Sequence, residues 1–321
     1  MTPKEKYKLF CDTYPEIPIF FQPFWLDNVM SGGDWDVIMN TDSTDNINSF
    51  LVYYTTTKYG RKVINMPPIT PFSGIIILND GTIKVESKNK KIVSLTLNLL
   101  DQLPKNIIYY SQSYHYTFDN WLPFYWNQYV QTTRYSFVID DLIKWSLDDV
   151  SPNIRNKISK ASKLLHIEEL ENIDILYDLI KKSLTNKKLS LNITKNQLQN
   201  LDDQLQTRGQ RLILGAKTDS GEICASIYVV FDSKSAYNLL LGSDPLLRQN
   251  GAVPFVIYHA ILESSKRVKT FDFEGSMLES LFDIFSGFGG SLKPYYRIYK
   301  AKNIFWDITY RIKSYYDKSN R

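Results

Sequence analysis

The 321-residue sequence predicts an α/β protein with mixed sheets, built from two tandem units of similar design. Three observations carry this prediction. Runs with the period-two pattern of strands alternate with runs at helical spacing along the chain. A hairpin across residues 47–66 and another across 223–242 have similar length, and a Pro-containing break follows each. In the second half a strand at 235–242, a basic turn containing Gly251 and an apolar helix at 253–265 succeed one another.

The elements follow in order. Residues 24–29 read as a short helix and 35–39 as a strand. Residues 46–57 and 62–66 form a hairpin across Lys58-Tyr59-Gly60-Arg61, and Pro67-Pro68 ends it. Residues 92–103 have helical spacing, and 106–111 form a short strand. The second half opens with a strand at 134–139, then helices near 153–165, 174–187 and 194–207. In the first of these, Ile154, Ile158, Ala161 and Leu165 share one face, while Arg155, Lys157, Lys160 and Lys163 spread across the other. Strands at 211–217, 223–231 and 235–242 make a meander, its first pair turned by Asp219-Ser220-Gly221-Glu222. A strand at 270–274, a helix at 277–285 and a last strand complete the order. The domains so drawn are 1–130, 131–302 and a helical tail at 303–321, whose aromatics alternate loosely with Arg311, Lys313 and Lys318.

Composition points to an enzyme-sized chain without a membrane span. Hydrophobic residues make up 43% and charged residues 22%, and no stretch approaches the roughly 18 unbroken apolar residues of a span. The first residues lack the apolar core of a signal peptide, so a cytoplasmic location is expected. Cys11 and Cys224 are too few for a disulfide framework, and His115, His166 and His259 form no local ligand motif. The sequence therefore indicates no metal. Residues 1–150 carry 13 Lys/Arg against 16 Asp/Glu, while 151–321 carry 25 against 18. The basic second half suits an anionic partner or a solvated Lys-rich surface.

Three segments carry chemistry. The turn Ser243-Asp244-Pro245, followed by Arg248-Gln249-Asn250-Gly251-Ala252, opens a helix where free N–H groups and the helix dipole favour an anion. Ser243, Arg248, Asn250, Gly251 and Ala252 are the residues to hold it; Arg248 adds charge-assisted hydrogen bonds and Gly251 permits close approach of the backbone. In Thr270-Phe271-Asp272-Phe273-Glu274-Gly275, alternation sends Asp272 and Glu274 to one face at a strand end. Glu274 and Asp272 are then either proton acceptors for an attacking amine or structural groups, one paired with an Arg and one capping the next helix. The aromatic segment 114–126 suits a substrate pocket in which His115, Asn120 and Trp121 fix orientation, together with Arg134, or else a packed aromatic interface.

Gln22-Pro23-Phe24-Trp25-Leu26, Trp121-Leu122-Pro123-Phe124-Tyr125-Trp126, Thr132-Thr133-Arg134-Tyr135, Gly242-Ser243-Asp244-Pro245 and Phe271-Asp272-Phe273-Glu274-Gly275-Ser276-Met277 carry a resemblance. It is to a GNAT-related acyltransferase family of Bacteroidetes, itself similar to the FemAB-type peptidyltransferases, and covers roughly 17–302. The resemblance implies two tandem GNAT-like domains with an acceptor bound between them, a small amine or a cell-envelope precursor. It implies acyl-CoA (acetyl-CoA) as donor, held at the 243–252 turn, or aminoacyl-tRNA as in the FemAB branch; no DNA partner is implied. It further implies Glu274 as base, with Tyr237 protonating the leaving thiolate. Two departures bear on the donor. Arg248-x-x-Gly251 matches the first half of the GNAT phosphate loop, but Val253 stands at its last small position. Phe285 replaces the Lys that precedes the Gly-Phe-Gly of FemAB enzymes, here Gly287-Phe288-Gly289, and the helical arm of tRNA-using members is missing. Both FemAB departures favour acyl-CoA over tRNA. A non-catalytic glycan- or peptide-binding module is the remaining alternative.

Overall fold

The computed structural model describes residues 1–309 except 31, 59, 79–80, 82–83, 186–190, 275–276 and 278, and omits the side chains of 185, 248–250 and 280. In chain order the elements are α1 (Pro3–Thr13), α2 (Pro23–Asn28), β1 (Gly33–Thr41), β2 (Ile47–Lys58), β3 (Arg61–Asn65), β4 (Gly74–Ile77), α3 (Val85–Asp101), β5 (Tyr109–Ser113), α4 (Leu122–Trp126) and β6 (Val130–Ile139). There follow α5 (Pro152–Ala161), β7 (Leu165–Glu169), α6 (Asp174–Thr185), α7 (Lys195–Thr207), β8 (Arg211–Thr218), β9 (Ile223–Phe231) and β10 (Ser235–Ser243). The chain closes with α8 (Ala252–Ser265), β11 (Thr270–Asp272), α9 (Glu279–Ser286) and β12 (Ser291–Ala301).

The chain divides into two compact units. The first comprises Met1–Arg134 with 294–309, the second 135–293. In the first, strand order is β1-β2-β3-β5-β12, and β4 pairs with the N-terminal half of β2. β1, β2 and β3 are antiparallel; β3 then runs parallel to β5 after the crossover through α3, and β12 lies antiparallel to β5. In the second, the order is β7-β8-β9-β10-β11-β6. β8, β9 and β10 are antiparallel, β10 runs parallel to β11 after α8, and β6 lies antiparallel to β11. Each unit thus repeats one scheme: a three-stranded meander, a crossover helix, a parallel fourth strand, and an antiparallel fifth from a distant part of the chain.

Local signals explain most boundaries. Thr2 and Glu5 form a reciprocal capping box that starts α1, with Pro3 just inside it. Thr194 and Gln197 do the same for α7. α5 buries Ile154, Ile158 and Ala161 in the second unit's core, where Val256, Ile257, Ala260 and Ile261 of α8 also pack. The first unit's core is rich in aromatics: one cluster holds Leu51, Tyr53, Ile64, Tyr110, Tyr114, Phe124 and Ile298, and Tyr7, Phe20, Phe21, Trp25, Trp35 and Phe50 are also fully buried.

The structure corrects several expectations. The helix foreseen at 153–165 ends at Ala161, and Leu165 opens β7, whose backbone pairs with β8. α3 begins at Val85 rather than 92, because its exposed, Lys-rich first turns carry no apolar periodicity. The strand foreseen at 270–274 stops at Asp272. Residues 304–309 are helical, and the rest of the expected tail lies outside the described residues.

Candidate active site

The second unit contains a notch where β10 and β11 part. The two strands pair in parallel only over Ser235↔Thr270, Ala236↔Phe271 and Tyr237↔Asp272, while β10 runs on to Ser243. Just past the last pair β10 is bulged: Asn238 faces Val229 and Leu240 faces Tyr228 of β9, leaving Leu239 without an opposite residue. Asn238 is buried, and its Oδ1 has no partner among the described residues.

β11 stops for a chemical reason. Asp272 turns its carboxylate back on the chain: Oδ1 accepts the Glu274 backbone N–H at 2.8 Å and also the Ser136 hydroxyl from β6. This local capture competes with continued strand pairing. Glu274 consequently adopts φ 59°, a left-handed conformation that costs a non-glycine residue roughly 1–2 kcal/mol. Strain of this kind gathers where function requires a fixed group.

The two carboxyl groups are electrostatically unusual. Burial pushes Asp272 up to about 6, against the lowering effect of the Ser136 and Glu274 N–H bonds. Burial first, and then the neighbouring Asp272 charge, raises Glu274 well above the ordinary carboxylate range. Glu274 Oε1 is buried without a hydrogen-bond partner, and no Lys or Arg pairs with either carboxyl among the described residues. A basic nitrogen entering the notch would find an acceptor poised to hold its proton.

The first unit closes the equivalent position. Its last parallel pair is Ile64↔Tyr110, and Gln112 stands two residues beyond it, as Glu274 does beyond Asp272. Gln112 is fully buried; its Nε2 donates to the Val52 carbonyl at 2.9 Å and to Ser73 Oγ at 3.2 Å, while its Oε1 accepts from Tyr110. The Ser73 N–H donates to the Ser113 carbonyl across the same gap. One notch is therefore stitched shut, and the other keeps an unpartnered carboxyl oxygen.

The other residues singled out from sequence fall in separate places. The Tyr237 hydroxyl donates to Asp232 Oδ2 at 2.8 Å, at the turn end of β10. The Ser243 N–H donates to Ser183 Oγ of α6 at 3.0 Å, and the Ser183 hydroxyl donates to the Ser243 carbonyl at 2.7 Å. Gly251, at φ 70°, and Ala252 are buried; a Cβ at 251 would lie 2.7 Å from the Lys157 carbonyl oxygen, so packing against α5 already demands glycine there. Among the described residues, no side chain caps the N-terminus of α8. The side chains of Arg248 and Asn250 lie outside the described residues. Gly287-Phe288-Gly289 is a packing turn: Phe288 is fully buried, and its carbonyl accepts from Trp145 Nε1 at 2.8 Å. Phe285, in the position of the FemAB lysine, lies in the core.

In the first unit, His115 Nδ1 lies 2.8 Å from Thr117 Oγ1 and 3.4 Å from the Thr117 backbone nitrogen, and its Nε2 is buried without a partner among the described residues. Burial lowers this imidazole to about 4, leaving it neutral. Asn120 and Trp121 lie apart from it, lining a groove beside α3. Arg134 is half-buried on β6. Among the described residues, no group of three or more His, Cys, Asp or Glu is placed to hold a metal ion, and no helix is long and apolar enough to cross a membrane. Ser136 and Asn238 were not singled out from sequence, since a lone Ser or Asn in a strand has no distinguishing pattern.

No family model matches the chain, and no curated protein is significantly similar to it in sequence. Solved structures do match. FemX superposes with a TM-score of 0.67 at 10% identity, covering 92% of this chain and 96% of its own. L-PGS from Bacillus licheniformis gives 0.56 at 13% identity over 93% of this chain and 92% of that one. The C-terminal domain of a lysylphosphatidylglycerol synthetase candidate from Agrobacterium fabrum gives 0.55 at 12% identity over 86% of each. The fold is thus the two-unit α/β fold of FemX.

Proposed function

We propose that the chain is a transferase that moves an acyl group onto an amine, with the chemistry at the β10–β11 notch of the second unit. The observation that carries this reading is Glu274, a buried carboxyl with an oxygen that has no partner among the described residues, held in a strained backbone conformation where two parallel strands part. An amine entering as ammonium would stabilise ionised Glu274 by charge pairing. Glu274 takes a proton from the ammonium, which frees the nitrogen lone pair to attack the acyl carbon; the tetrahedral oxyanion forms beside the bulged backbone at Leu239, and the second N–H proton passes to the donor heteroatom. The donor heteroatom leaves with the electron pair of the broken bond. Asp272 and Ser136 hold the Glu274 backbone in place. Tyr237, already bonded to Asp232, is a weaker candidate for the proton donor to the leaving group.

The first reading of the donor is acyl-CoA, its pyrophosphate gripped by Arg248 and the uncapped start of α8. A second reading, an aminoacyl donor such as aminoacyl-tRNA, is favoured by one specific contact. Ser183 of α6 occupies both the N–H and the carbonyl of Ser243, closing the far end of the β10 edge that a pantetheine arm would follow. The likeness in fold to FemX and to a lysylphosphatidylglycerol synthetase candidate supports the same reading. The acceptor is a small amine or an envelope precursor. The cytoplasm, where either donor is made, is the expected compartment.

Calorimetry with acetyl-CoA separates the donors. Binding that Arg248→Ala weakens by about 10- to 150-fold, the scale of a hydrogen bond to a charged group, supports acyl-CoA. Absence of binding at about millimolar ligand, with salt-sensitive binding of aminoacyl-tRNA, supports the second donor. Wild-type turnover by Glu274→Gln would sink the proposed chemistry for both.

A further inference from the structure

We propose that the first unit carries a binding site for a neutral saccharide, in the groove between α3 and the segment 119–126. The groove is open to solvent, with a volume of about 820 Å³, and all its lining residues belong to the first unit. This inference is independent of the transferase reading and of Glu274.

Three features define the ligand. Trp121, Trp126 and Tyr296 supply ring faces along one groove, and Trp126 is 55% exposed. An exposed tryptophan beside other rings offers a flat apolar platform that matches the C–H face of a pyranose. Polar groups stand beside the rings. Asn120 Oδ1 is used by the Leu122 N–H, leaving its amide donors to project, and Asp119 and Ser94 have no hydrogen-bond partners among the described residues. A carboxylate next to an amide and a hydroxyl can bridge neighbouring hydroxyl groups of a sugar.

Charge excludes the alternatives. Among the described residues lining the groove, Lys90 is the one cation, and its ammonium is bound to Glu86 at 2.6 Å. With Asp119 present, a phosphate or nucleotide would meet net repulsion rather than a basic clamp. The rings do not form a cage for an alkylammonium: Trp121 lies 6.5 Å from Tyr296 with the planes tilted by 48°, along an open groove. An uncharged, hydroxyl-rich ring is the ligand that uses every group present.

The test uses the whole protein labelled with 5-fluorotryptophan, so that Trp121 and Trp126 report separately from the four other tryptophans. Triacetylchitotriose and maltotriose are the saccharide probes; uridine monophosphate and choline are the controls. One or both saccharides should shift the Trp121 and Trp126 signals saturably at millimolar concentration. Trp126→Ala and Asp119→Ala should each weaken that binding about tenfold or more, while Glu274→Gln leaves it unchanged. Trp126 is exposed, so its replacement leaves the core intact, and Asp119→Ala gives a second readout. No shift with either saccharide at about 20 mM, the weakest affinity useful for such a shallow site, overturns the proposal, as does equal or stronger binding of either control.

Discussion

Replacing Asp272 by asparagine should stabilise the protein at pH 8 and leave its stability nearly unchanged at pH 4. Asparagine keeps the carbonyl oxygen that accepts from Ser136 and from the Glu274 N–H, and removes only the charge. In the fold this carboxyl titrates at about 6, raised from 3.8 by burial. Because the folded value lies above the unfolded one, its contribution to stability is fully present below about pH 3.8 and is lost as pH rises through 6. A shift of roughly two units, at 1.36 kcal/mol each, sets the loss at about 3 kcal/mol by pH 8. Asparagine suffers no such loss. Allowing for relaxation around a buried charge, the variant should gain roughly 1–3 kcal/mol at pH 8, or about 2–5 °C in Tm. Scanning calorimetry of both proteins between pH 4 and 8 measures this. A variant less stable than wild type at pH 8, or a difference that does not change with pH, would refute the assignment of a desolvated charge at this position.

Three further outcomes are expected. Glu274→Gly should relieve the left-handed strain and raise stability by about 1 kcal/mol, while lowering amine acylation at least about 100-fold; chemical denaturation and release of donor thiol or tRNA read the two effects. Arg211 is buried with Nε 3.2 Å from Asp202 and its other nitrogens on the Leu170 and Glu171 carbonyls, so Arg211→Met should cost about 3–5 kcal/mol in urea unfolding; adding Asp202→Leu should restore part of it. Gly251→Ala should cost about 1–3 kcal/mol from its positive φ and the Lys157 carbonyl, and the loss should persist in melting curves without any donor.

The sequence revealed the fold more readily than the site, and the reasons are local. Strand and helix periods, the hairpins and the Pro breaks are properties of short windows, so the repeated scheme of meander, crossover and parallel strand could be read from them. β7 escaped because Leu165 continues the apolar stripe of α5 when read at helical spacing, although its backbone pairs with β8. Alternation drew attention to Asp272 and Glu274, but not to the feature that sets Glu274 apart. That depends on Asp272 capturing a backbone N–H two residues on, and on Ser136, 136 residues away, bonding the same oxygen. Gly251 is legible in sequence as a residue that lets the backbone approach a ligand; its close neighbour in the fold is instead a carbonyl of α5, which no local pattern encodes. Within the aromatic segment, Asn120 and Trp121 share a groove, whereas His115 turns towards Phe72, 4.5 Å between ring centres.

The pairing of β12 with β5 imposes an order on biosynthesis. Residues 297–301 complete the first unit's sheet, yet about 160 residues of the second unit are translated before them. At roughly 5–20 residues per second, β5 waits about 8–30 s with one edge unpaired, long enough for the second unit to fold first. During that interval the first unit exposes a strand edge carrying Tyr110 and lacks Ile298 from its core. A nascent chain that has released residue 293 but not yet 297–301 would thus hold a finished second unit and an unfinished first one, and the first unit would be the part most open to chaperones and proteases.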